Sequence, residues 1–376
     1  MSRQARLSRG WYGRMASITL VALSALATYE MRYTPASPGF SEHFVTIVDT
    51  KEYPERLELA IRSHYTGIAN LDYGLRFLVA AFLPSAASFV REFQVLQAYF
   101  LVSFFPIISI YAVEAGRRGN KRAWTYYTTA WALLYQTVGG AIVIPLYCLA
   151  FMRDTARLEY YTTPSRQLPL PYARSLVPAL LLGFLLPTIT IYLPFDDPGL
   201  MIKQALTAFW QVTPLLVNLM LHFLQPFFSV SSSPPARKTA DSDAETDATY
   251  VKRLYGICFV TSAAAHLGIV SLRLLDPKLS LIRVFLPKTE LLPGSVAETL
   301  HFIFQWDYLL IFAASMLWAC VAVHDLDVVG RTDVSLVQLG TAVVVGSVIF
   351  GPAATVVGAF WWREDKLRQE VKPKIS

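Results

Sequence analysis

The chain has 376 residues, of which 54% are apolar and 16% charged, with a formal net charge of +6. A soluble domain carries about 25% charged residues, so this balance excludes a soluble globular domain and implies a polytopic, all-α membrane protein built as one helical bundle. The basic excess sits at helix ends and tails, where orientation signals belong, and does not point to nucleic acid.

The first apolar run covers residues 15–29 and follows Arg3, Arg6, Arg9 and Arg14. It is expected to be a signal anchor rather than a cleaved signal peptide, which keeps the basic N-terminus cytoplasmic. Residues 31–66 are mixed and polar and are expected at the opposite surface. Residues 67–85 are apolar but carry Asp72 and Arg76, and are short for a span, so a tilted or re-entrant segment is expected there. Clear spans follow at about 94–113, 123–151, 174–193, 205–229, 251–274, 298–323 and 334–361, giving about eight in all, with seven to nine as the range. Between the fourth and fifth of these, residues 231–249 are rich in Pro, Ser and alternating charge, cannot bury a core, and are expected to form a disordered loop. The whole chain, 1–376, reads as a single integral membrane domain with a basic, cytoplasmic tail at 363–376. That tail ends K-P-K-I-S, which matches a dilysine retrieval signal and suggests the endoplasmic reticulum.

Pro106, Gly139-Gly140, Pro145, Pro187, Pro214 and Pro352 interrupt the helices. The backbone groups they free must be met inside the protein. Ordinary membrane-helix packing is one explanation, and the opening of a pocket is the other. There is no internal repeat and no inverted pair of broken helices, which weighs against a secondary transporter. Nucleotide loops and G-x-S-x-G elbows are absent, and Asp196-Asp197 lacks the later acid of a diphosphate site. The six histidines and three cysteines (Cys148, Cys258, Cys320) have no metal-ligand spacing. No metal and no cofactor are expected.

Asp307 stands out against this background, inside the apolar run Glu298 to Val323. A carboxylate near mid-bilayer costs about 2.5–3.5 kcal/mol on insertion scales and normally faces a wet or protein-lined cavity. Two further acids are candidates for a second carboxyl that holds a proton or quenches a cation. Asp72 is otherwise the i,i+4 partner of Arg76, and Glu114 otherwise pairs with Arg117 or Arg118. Gln305 and Trp306 beside the acid, Trp131 and Gln136 on an aromatic-rich helix, and His301 are candidates for shaping a substrate pocket. For His301 a satisfied core histidine is the plainer alternative. Aromatic faces stabilise cations, and a buried carboxyl in apolar surroundings can stay protonated at neutral pH. The combination suits a reaction that makes a carbocation from a greasy polyene.

The runs LYQTVGGAIVIPLYCLAF (Leu134 to Phe151) and FQWDYLLIFAASMLWA (Phe304 to Ala319), with LDYGLRFLV (Leu71 to Val79) upstream, resemble segments of fungal integral-membrane terpene cyclases. The closest type is that of the ascochlorin, ascofuranone and macrophorin pathways, and the likeness spans most of the chain. It implies metal-free cyclisation of a farnesyl chain attached to an aromatic or quinone-derived head, started by protonating a terminal epoxide or alkene. A prenyltransferase and an epoxidase would act upstream. The resemblance transfers no residue roles, so Asp307 as general acid rests on the residues themselves. The alternatives at this point are a transporter of a lipophilic metabolite, with Asp307 binding a cation or relaying protons, a sterol-type isomerase, and a non-enzymatic scaffold.

Overall fold

The computed structural model describes residues 6–36, 39–53, 56–197, 200–229, 240–288 and 295–368. Helix α1 (Gly10–Thr28) runs through a π-turn (Tyr29–Tyr33) into α2 (Thr34–Ala36), followed by α3 (Phe40–Thr50). A short antiparallel pair, β1 (Glu52–Tyr53) and β2 (Arg56–Ala60), is the one sheet among the described residues. Helices α4 (Ala69–Ala86), α5 (Arg91–Gly116), α6 (Thr128–Val138) and α7 (Gly140–Asp154) come next. Then follow α8 (Thr163–Arg166), α9 (Leu170–Leu180), a second π-turn (Leu181–Leu185) and α10 (Leu186–Tyr192). The second half comprises α11 (Met201–Trp210), α12 (Thr213–Ser229), α13 (Ala240–Leu275), α14 (Leu281–Phe285), α15 (Val296–Val328), α16 (Leu336–Phe350) and α17 (Pro352–Arg368).

The all-helical class agrees with the reading of the sequence, but the count of eight spans is not reproduced. Among the described residues four helices are long and apolar enough to cross a membrane: Arg91–Gly116, Thr163–Tyr192, Asp247–Leu275 and Val296–Val328. The pair α11–α12, bent by 63°, makes up to five. Part of the difference comes from broken helices. The run 123–151 stops at Gly139 (φ +118°) and the run 334–361 stops at Gly351 (φ +87°). A positive φ cannot continue a right-handed helix, and glycine tolerates it where other residues do not.

Two other expectations change, and the tail is described only in part. Residues 31–66 are not simply a polar surface: Phe44, Ile47, Val48 and Tyr53 are buried, and α3 packs against α4 and α15. Of the loop expected at 231–249, residues 231–239 lie outside the described residues, while 240–249 form the first turns of α13. Asp247 there is buried, accepting from the Leu168 N–H at 2.7 Å and from Arg368 at 3.0 Å. Residues 363–368 of the basic tail complete α17, and the K-P-K-I-S end lies outside the described residues.

One end of the bundle is held by buried ions. Arg117, just past the end of α5, donates to Glu114 at 3.0 Å and to Glu364 on α17 at 2.8 Å, and Arg166 on α8 reaches Glu364 at 2.8 Å. The Tyr160 hydroxyl donates to Glu114 at 2.7 Å and accepts from Arg363 at 2.8 Å. All of these side chains are buried. Charges out of water are tolerated when they are paired and hydrogen-bonded like this. Glu114 therefore pairs with Arg117, as the plainer of the two sequence readings has it.

Candidate active site

On α15, residues Leu300, Ile303, Phe304, Asp307 and Ile311 fall on one face, at the i, i+3, i+4 spacing of an α-helix. That face borders a cavity of about 380 Å³ whose other walls come from the first π-turn, α3, α4, α5, α6 and α11. Aromatic rings dominate the walls. Phe82 meets Phe304 edge-on at 5.1 Å and Trp210 at 5.3 Å, and Phe104 meets Tyr135 edge-on at 5.3 Å. Polar side chains on the walls are Arg32, Ser41, Tyr135, Gln136, Thr137 and Asp307. Asp307 is the one carboxyl among the lining residues.

The break between α6 and α7 fixes that carboxyl. The Gly139 N–H closes the last turn of α6 on the Tyr135 carbonyl, and the Gly139 carbonyl accepts from Val143 in the first turn of α7. The Ala141 N–H thus belongs to the helix start, where no carbonyl of the helix can reach it. It donates to Asp307 Oδ1 at 2.6 Å. On the other side of the break, Arg32 donates to the Val138 carbonyl that α6 leaves open. Gly140 permits the close approach: a Cβ there would lie 3.3 Å from Asp307 Oδ1 and 2.4 Å from Ile311 Cδ1. Asp307 is half-buried because its exposed part faces the cavity.

Of the other candidate site side chains, Gln136 alone joins Asp307 on the wall, where it donates to Gln211, and the Gly139-Gly140 interruption borders the same cavity. Gln305 and His301 lie on a different face of α15 and serve the end of α14. Gln305 donates to the carbonyls of Arg283, Val284 and Leu286 at 2.8, 3.2 and 3.0 Å. His301 Nε2 is 3.3 Å from the Val284 carbonyl, and its ring stacks on Phe93. Trp306 is half-buried against Phe302. Trp131 donates to the Trp124 carbonyl at 2.9 Å and packs edge-on against Tyr147.

Asp72 sits at the start of α4, outside the cavity, and its carboxylate organises the preceding turn. It accepts from the N–H groups of Tyr65, Thr66 and Gly67 and from the Thr66 hydroxyl, at 2.7–3.1 Å. Burial pushes this carboxyl up, but the four donors outweigh it and hold the group below the usual carboxylate range. Arg76 is not its partner: it donates to the Val48 carbonyl at 3.1 Å. Glu114 lies in the ion cluster described above. Among the described residues no three His, Cys, Asp or Glu side chains gather as a metal site.

Residues 15–368 match the CtvD domain family. The chain belongs to the CtvD domain family. This CtvD-domain protein is 25% identical to the terpene cyclase ascI of Acremonium egyptiacum over 319 residues, covering 81% of this chain and 80% of the relative. It is 28% identical to the terpene cyclase janA of Penicillium janthinellum, covering 90% and 91% respectively. It is also 24% identical to the FAD-dependent monooxygenase atnA of Arthrinium sp., covering 76% of this chain but 36% of that protein. No solved structure matches the CtvD-domain protein.

Proposed function

We propose that the cavity folds the farnesyl chain of a prenylated aromatic compound and cyclises it through a carbocation started by Asp307. The observation that carries this reading is a single carboxyl held on the wall of an aromatic cavity by one 2.6 Å hydrogen bond. With Oδ1 accepting from Ala141, the protonated form of Asp307 has its O–H on Oδ2, free for the substrate. Proton transfer to a terminal epoxide oxygen opens the ring, and successive alkenes attack in turn. The phenyl, phenol and indole faces around the chain stabilise the moving positive charge. Arg32, in the same corner of the cavity, faces the carboxylate that remains.

The epoxide is preferred over the alkene as the protonated group. An ether oxygen is far more basic than a carbon–carbon double bond, so a carboxylic acid suffices. The match to part of a protein named as a FAD-dependent monooxygenase supports this, since flavin monooxygenation is a reaction class that supplies epoxides. The names of ascI and janA support terpene cyclisation itself. The reaction is an isomerisation without metal, in a membrane proposed to be the endoplasmic reticulum from the K-P-K-I-S end.

Microsomes bearing the protein, given a farnesylated phenol or its terminal epoxide with and without EDTA, test this. The expected result is mass-neutral conversion to a cyclised product, unaffected by chelator. Asp307→Asn should lower turnover roughly 10²–10⁴-fold, the range for removing a general acid, with unchanged protein level. Near-wild-type turnover in that variant refutes the assignment. No conversion of either substrate, together with saturable uptake into vesicles, points to a transporter instead.

A further inference from the structure

A proton that starts a cyclisation has to leave again, and among the described residues no second carboxyl lines the cavity. Tyr135 does line it, and it also lines a second, smaller cavity of about 30 Å³. A water needs roughly 10–15 Å³ of such space and two to four polar partners. The small cavity is large enough for one water, and Tyr111, Thr128 and Asn218 supply polar side chains on its wall. Tyr111 on its wall is 3% exposed, and its hydroxyl has no hydrogen-bond partner among the described residues. Thr128 and Asn218 also border it. The Thr128 hydroxyl donates to Asn218 Oδ1 at 3.1 Å, which leaves its own lone pairs free to accept. Tyr135 is fixed by its ring against Phe104, while no described residue holds its hydroxyl.

We propose that Tyr135 is a further catalytic residue: the group at which the proton leaves the last carbocation, backed by a water that Tyr111 and Thr128 hold in the small cavity. This rests on the cyclase reading above. In the step, a C–H bond next to the cationic carbon breaks and its electron pair becomes the double bond of the product. The proton goes to the Tyr135 oxygen as the phenol passes its own proton to the water. The water releases one proton to the medium and the Asp307 carboxylate takes one up, so a turnover is proton-neutral and needs no further reactant.

The experiment follows substrate loss and product identity separately, in Tyr135→Phe and Tyr111→Phe with the farnesylated phenol epoxide. Tyr135→Phe keeps the ring and its packing. It should still consume substrate, while formation of the native product falls by about 100-fold, the lower end for loss of a general base. Alkene isomers or water adducts should replace it. Tyr111→Phe should shift the product ratio the same way by a smaller factor, and it decides the matter if Tyr135→Phe does not accumulate. Wild-type product at wild-type rate in both variants overturns the assignment. So does a folded Tyr135→Phe that consumes nothing, because the residue then acts before the cation exists. Wild-type protein that converts neither substrate overturns the cyclase reading itself, and this assignment with it.

Discussion

Replacing Gly139 by alanine tests whether the helix break, rather than the presence of Asp307 alone, makes the site. Gly139 has φ +118°, where an L-residue costs about 1–3 kcal/mol. A Cβ there would also come 3.2 Å from Met31 Cε. The backbone escapes this strain by turning φ negative, which lets α6 run on into α7. In a continuous helix the Ala141 N–H bonds the carbonyl four residues back, that of Thr137, and leaves Asp307. A carboxyl displaced by about 1 Å typically loses about 10²-fold in rate. Turnover of Gly139→Ala per folded molecule, measured in microsomes and normalised to protein level, should therefore fall about 100-fold. Gly330→Ala is the control: Gly330 also has a positive φ, of 73°, with open space around it and no place on the cavity wall. It should lose stability but keep its turnover per folded molecule. Equal turnover in the two variants would refute the reasoning.

Phe304→Leu removes an aromatic face beside Asp307 and should slow turnover about 2- to 30-fold, from the 0.5–2 kcal/mol of a cation–π contact; an unchanged rate counts against a cationic intermediate there. Glu114→Gln takes one of the carboxylates from the buried arginines and should cost about 3–5 kcal/mol. That loss is read as a lower unfolding temperature in detergent, with the product of the surviving protein unchanged. A change of product would place Glu114 in the chemistry after all. Asp72→Asn should destabilise the turn before α4. Because the folded carboxyl lies below its ordinary value, its stabilisation is complete at neutral pH and fades as pH falls below about 4. The unfolding-temperature gap between wild type and Asp72→Asn should therefore narrow in acid, and a gap that widens there contradicts the hydrogen-bond reading.

Asp307 was legible in the sequence because a charge inside an apolar run is costly and hence rare. Its setting was less so. Arg32 follows the first apolar run by a few residues and reads as a surface charge, yet the π-turn carries it onto the cavity wall. Gly139-Gly140 was visible as an interruption, but composition does not distinguish a tolerated glycine from a positive φ that ends one helix and starts another. Gln305 and Trp306 are neighbours of the acid along the chain, and for that reason point away from it around the helix. Asp72 and Glu114 sit in apolar stretches like Asp307 does, but local spacing carries no information about which end of the bundle each one reaches.

The ion cluster at that far end ties events in synthesis together. Arg117 and its counter-ion Glu364 are separated by 247 residues. While the ribosome works through that interval, Arg117 has Glu114 beside it but not Glu364. The Arg117–Glu114 pair can form at once, and the second carboxylate comes only with α17. The complete cluster, with Glu364 shared by Arg117 and Arg166, therefore closes only once α17 is made.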